Sequence, residues 1–154
     1  MEPAGPHFQQ LHTHSIRLTF AYTESDIRLV RTERIAMIAP GSATSPPVGD
    51  QTGYWIEVRN VEGDLLYHRP LHAPMPVTAE VFGDSPGEPL YQVEIPQSEG
   101  QFEVLVPDLP AAAVFTLHGP PPQARRSLDA KATELTRHGF DELRQPWSEE
   151  GGRT

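Results

Sequence analysis

The chain has 154 residues, enough for one domain with a core of its own. Twelve basic residues against 21 acidic ones leave a formal net charge of −9, which repels phosphate backbones and argues against general nucleic-acid binding. The chain has no cysteine, which excludes disulfides, zinc–thiolate sites, iron–sulfur clusters and cysteine nucleophiles.

Residues 1–13 read as a flexible leader, without the basic region or apolar stretch of a signal peptide. No apolar run approaches the roughly 20 residues that a membrane helix needs. The expectation is a soluble cytoplasmic protein with neither membrane nor nucleic acid as partner. Lys131 is the only lysine among the 12 basic residues, and there are 17 prolines and 12 glycines. Such usage points to a high-GC bacterial genome.

From His14 the pattern alternates, with Ile16, Leu18, Phe20 and Tyr22 on one face, as in a half-buried strand. Thr23 to Asp26 forms a turn. Ile27 to Val30 and Arg34 to Ile38 give a second extended region, with a bulge expected near Arg31–Glu33. The segment 39–52, carrying Pro40, Gly41, Pro46, Pro47 and Gly49, is a loop. Residues 53–71 predict a hairpin: Tyr54, Ile56 and Val58 share one face, Trp55, Glu57 and Arg59 the other, and Glu62-Gly63-Asp64 reverses the chain. Pro70, Pro74 and Pro76 mark an irregular stretch. Short strands follow at Val77–Phe82, around Tyr91, Val93 and Ile95, around Phe102, Val104 and Val106, and at Ala113–His118.

Seven or eight short strands with turns every 8–12 residues, and no crossover helices among them, predict an all-β antiparallel sandwich over residues 14–119. Pro120-Pro121-Pro122 opens a Pro-rich spacer, 120–126. Beyond it Leu128, Ala132 and Leu135 recur at helical spacing, and Phe140, Leu143 and Trp147 extend the stripe. With Ser127 as N-cap, this predicts a helical arm over 127–147, followed by a mobile tail, 148–154.

No nucleophile or phosphate-loop motif is present, so neither an enzyme nor a cofactor is expected. His12 and His14, two apart on a strand, point the same way and are candidate metal ligands, but two ligands do not make a site. Asp26, Asp50, Asp64, Asp84 and Asp108 fall in turns, where aspartate also serves its own backbone. Trp55 is either covered on the second face of a central strand or exposed as an anchor for a partner. The arm either folds back on the sandwich or docks on another protein.

The run Phe102 to Leu117, with Pro107-Asp108-Leu109-Pro110 at its centre, resembles the crossing between sheets in fibronectin type III and related immunoglobulin-like domains. The corner tyrosine of those domains is missing; Val114 or Phe115 stands near its place. The resemblance implies an immunoglobulin-like sandwich and carries no function.

The functional expectation is a non-catalytic accessory or interaction module of a bacterial assembly. It would bind another protein through Trp55, Leu135, Phe140, Leu143 and Trp147. The alternatives are a carbohydrate- or small-ligand-binding sandwich with Tyr54, Trp55 and Tyr67 as an aromatic platform, and a metal-dependent hydrolase built on His12 and His14.

Overall fold

Alternating apolar residues on β1 (Ser15–Tyr22) and β7 (Gly100–Pro107) face those on β3 (Tyr54–Arg59) and β8 (Val114–Gly119) across a closed interior. In this computed structural model, residues 12–43, 52–127, 129–148 and 152–153 are described. The remaining strands are β2 (Ile27–Ile35), β4 (Leu65–Leu71), β5 (Thr78–Val81), β6 (Tyr91–Glu94) and β9 (Thr133–Gly139). A short helix, α1 (Phe140–Leu143), and two final strands, β10 (Trp147–Ser148) and β11 (Gly152–Arg153), follow.

One sheet has the order β2-β1-β7 and the other β4-β3-β8-β9, every neighbour antiparallel. The all-β antiparallel sandwich is the observed architecture. Ile16, Leu18, Phe20 and Val106 from one sheet and Ile56, Val58, Phe115 and Leu117 from the other are buried together. Phe20 bridges the layers, with its ring centroid 5.3 Å from Phe102 and 6.1 Å from Phe115. Each such ring removes much apolar surface from water, the dominant favourable contribution to folding.

Local chemistry sets the turns. Asn60 accepts the N–H groups of Glu62 and Asp64 on Oδ1, at 3.0 and 2.8 Å, and Gly63 takes φ 88°, where a side chain is disfavoured. The bulge expected near Arg31–Glu33 lies at Val30: Thr19 pairs with Arg31 and Phe20 with Leu29, leaving Val30 as the extra residue.

Residues 108–113 carry the chain from the first sheet to the second. The Asp108 N–H donates to the His14 carbonyl at 3.0 Å. Its carboxylate receives Arg34 Nε at 2.7 Å and Arg144 Nε at 2.8 Å. Burial alone would raise the Asp108 pKa, but the hydrogen bonds and the charges of Arg34 and Arg144 together hold the carboxyl below its ordinary value.

The helix expected over 127–147 is confined to the four residues of α1. Thr133–Gly139 is strand β9, paired along the open edge of β8. A row of unpaired backbone groups on β8 outcompetes a helix with few apolar contacts, since a short helix is marginal without tertiary packing. The domain drawn as 14–119 therefore extends through α1.

The expected spacer is strapped down. Its Pro122–Ala124 part is a single 3-10 turn, and Arg125 Nη1 donates to the Thr23 carbonyl at 2.7 Å. Arg126 pairs with Glu24 and donates to Glu94 Oε1 at 3.1 Å and to the Ile95 carbonyl at 2.6 Å. In the expected tail, Trp147–Ser148 pairs with Gly152–Arg153. Leu128, the leader residues 1–11 and residues 149–151 and 154 lie outside the described residues. No described helix is long and apolar enough to cross a membrane.

Candidate functional site

Two places hold chemistry that core packing alone does not require. The first is the outer face of the four-stranded sheet. Register puts Trp55 beside His118, and Glu57 between His68 and Thr116. Trp55 stacks on His118, centroids 4.9 Å apart and planes 3° from parallel. Its indole N–H donates to Glu57 Oε2 at 2.8 Å, and Arg59 Nε donates to Oε1 at 2.9 Å. Trp55, Glu57, His68 and Thr116 are all buried. Both Glu57 oxygens are thus engaged, as a buried carboxylate demands. The His68 backbone is tied to Ser42 and Ala43, while neither of its ring nitrogens has a hydrogen-bond partner among the described residues.

Burial tends to raise the Glu57 pKa; the donors Trp55 and Arg59 and the Arg59 charge bring it below the usual value. Burial lowers both histidines, against the upward pull of the Glu57 charge on each. A folded pKa below the unfolded one means that the unfolded chain takes up protons first as pH falls. The stability contributed by the neutral rings is complete above the ordinary histidine value of 6.5 and is lost as pH drops through the folded values. NMR titration is expected to place both midpoints below 6.5, and Glu57→Gln to lower both further, because it removes the carboxylate's pull. A midpoint raised by that substitution would contradict this electrostatic account.

The residues expected to anchor a partner are largely inside the molecule. Trp55 is 6% exposed, Phe140 0% and Leu143 2%. Leu135 packs partly buried against the same core, and Trp147 is half-buried. The partner-binding role assigned to Phe140 and Leu143 is corrected: their apolar surface closes the sandwich. Trp55 is likewise covered, because β3 is central in its sheet and buried on both faces. Tyr54, Trp55 and Tyr67 do not form a platform. Trp55 lies on the outer face, whereas Tyr67 packs in the core and its hydroxyl donates to the Pro40 carbonyl at 2.7 Å. The candidate metal ligands are engaged in the protein: His12 Nε2 accepts the Ala39 N–H at 3.0 Å, and His14 Nδ1 lies 2.9 Å from Thr13 Oγ1. Among the described residues no three histidine or carboxylate side chains are placed to hold a metal ion.

The second place is the β5–β6 hairpin, a two-stranded sheet separate from both layers. Its base is fixed. Ile95 N–H donates to the Val77 carbonyl at 2.8 Å, the buried Ser98 hydroxyl donates to the Pro76 carbonyl at 2.7 Å, and Arg126 clasps Glu94. Beyond the base it stands clear of the body, with Thr78 to Glu80 and Tyr91 to Glu94 all exposed. Pairing of Ala79 with Val93 and of Val81 with Tyr91 aligns these four on one face. Phe82 and Leu90 flank the tip just beyond the paired residues, and exposures of 80% for Phe82, 49% for Leu90, 53% for Tyr91 and 41% for Val93 leave all four open to solvent.

Sequence reasoning placed both strands but missed this surface, because alternation marks a shared face without saying what lies on it. A signal was available in the charges: no lysine or arginine occurs between Arg69 and Arg125. Comparison with protein-family models, curated proteins and solved structures finds nothing similar to this chain.

Proposed function

We propose that this chain is a non-catalytic accessory module that binds another protein through the apolar face of the β5–β6 hairpin. The observation carrying this reading is the group of exposed apolar residues, Tyr91 and Val93 on one face with Phe82 and Leu90 at the tip, on a hairpin whose base is anchored and whose blade is exposed. Two-stranded hairpins are marginal in water unless something covers them. Contiguous exposed apolar surface of this kind marks interaction sites. The sandwich core is complete without these side chains.

Photo-crosslinking in the native cells tests the reading. A photoreactive phenylalanine analogue at position 91 is expected to give a discrete adduct with a partner. The same analogue in place of the exposed Arg31 on β2 gives none, and Phe82→Ser abolishes the adduct at 91. Because Phe82 is exposed, that substitution is expected to change stability by no more than about 0.5 kcal/mol. Equal adducts from both positions, or an adduct indifferent to Phe82→Ser, rule the hairpin out as the docking surface.

A further inference from the structure

We infer that the hairpin takes an extended polypeptide segment in which apolar and basic side chains alternate, added as a third strand. The inference rests on the reading of the hairpin as a docking surface and specifies its partner. Three features of the hairpin lead to it.

The first is the two-faced blade. Ala79, Val81, Tyr91 and Val93 lie on one side, and Thr78, Glu80, Gln92 and Glu94 on the other. A strand beside it presents its own side chains alternately to those two sides. Apolar residues would extend the Tyr91–Val93 row, and basic residues would fall on the side bearing Glu80 and Glu94.

The second is the one-signed charge. Glu80 and Glu94 lie on the face opposite the apolar row, Asp84 and Glu88 lie in the segment joining the two strands, and of the four only Glu94 has a cation partner, Arg126, among the described residues. A second copy of this hairpin would bring unpaired carboxylates together, and like charges opposed across strands are destabilising. Nucleic acids and anionic membranes are repelled for the same reason. Lysine or arginine on the incoming strand meets those carboxylates instead.

The third is the open backbone. Among the described residues neither β5 nor β6 has a second neighbouring strand, and strand addition satisfies such an edge with main-chain hydrogen bonds while side-chain pockets supply the selection. The anchored base holds the blade in one orientation, so ordering it costs little on binding.

Synthetic peptides of alternating arginine and valine, alternating glutamate and valine, and alternating arginine and serine are the probes, each titrated into the full-length chain and followed by NMR. The arginine–valine peptide is expected to shift resonances confined to residues 78–94. Its affinity should exceed that of either other peptide at least tenfold, and should fall several-fold at about 1 M salt, where the screening length is ~3 Å. Equal affinity for the glutamate–valine peptide overturns the charge selection, and equal affinity for arginine–serine overturns the apolar part; both leave the docking surface in place. Shifts elsewhere on the chain, or a concentration-dependent dimer that broadens residues 78–94, overturn the inference. If no peptide shifts the hairpin while the crosslink at position 91 persists, this partner chemistry is wrong and the proposed function stands. If both fail, the hairpin is not a binding surface.

Discussion

Trp55→Ala is expected to lower the stability of the chain by about 3–5 kcal/mol, the usual cost of truncating a buried aromatic. The ring stacks on His118, approaches His68 at 6.4 Å and donates to Glu57, so its removal opens a void and strips a buried carboxylate of one of its donors. At about 3 °C per kcal/mol for a chain of this size, the melting temperature should fall by roughly 10–15 °C. Trp55→Phe separates the contributions. It keeps a stacked ring and leaves Glu57 Oε2 without the indole N–H, for a loss of about 1–3 kcal/mol. At a temperature where the folded state still predominates, neither variant should weaken the crosslink from position 91. If Trp55→Ala melts within about 2 °C of the parent, Trp55 does not hold this face together and its role as a partner anchor returns.

The second large effect concerns the C-terminal segment. Phe140 is fully buried in the common core, its N–H donates to the Ala113 carbonyl at 2.8 Å, and the Arg144 guanidinium lies 4.9 Å from its ring centroid. Phe140→Ala should cost about 3–5 kcal/mol, whereas Phe140→Leu, nearer in volume, should cost about 1. Urea unfolding reads the difference as a shift of midpoint with an unchanged slope. The same variant separates a docking arm from a core element. A detachable arm would lose binding and keep its midpoint; the observed packing demands the reverse. An unchanged midpoint for Phe140→Ala would show that residues 140–143 do not close the sandwich.

These two aromatics illustrate what sequence pattern can and cannot convey. The out-of-phase position of Trp55 on an alternating strand was visible, and so was its pair of meanings, buried on a central strand or exposed. Which holds depends on β8 pairing with β3 and bringing His118 over the indole, a contact between residues 63 positions apart. The stripe of Leu135, Phe140 and Leu143 was legible as apolar, but its helical reading holds only for Phe140 and Leu143 on α1, whereas Leu135 lies on a strand. Strand β9 is stabilised by backbone partners on β8 that no local window contains. At the hairpin the same limit runs the other way. Tyr91 and Val93 alternate as a core strand does, yet no described layer covers their face.

By itself, then, the sequence determined the class and the local geometry. Alternation along β1, β3, β7 and β8 made antiparallel layers, Gly63 with Asn60 closed a hairpin, and composition excluded thiol chemistry and disfavoured nucleic acid. These follow from short-range sterics and from the two-residue period of a strand, which adjacent residues carry in full. The tertiary structure alone decided which apolar faces are buried, that residues 133–139 form a sheet strand, and that an apolar face of the acidic β5–β6 hairpin is left open among the described residues. Burial depends on which distant strand arrives opposite a given face, and hydrophobic attraction, being non-directional, writes no record of that partner into the local pattern.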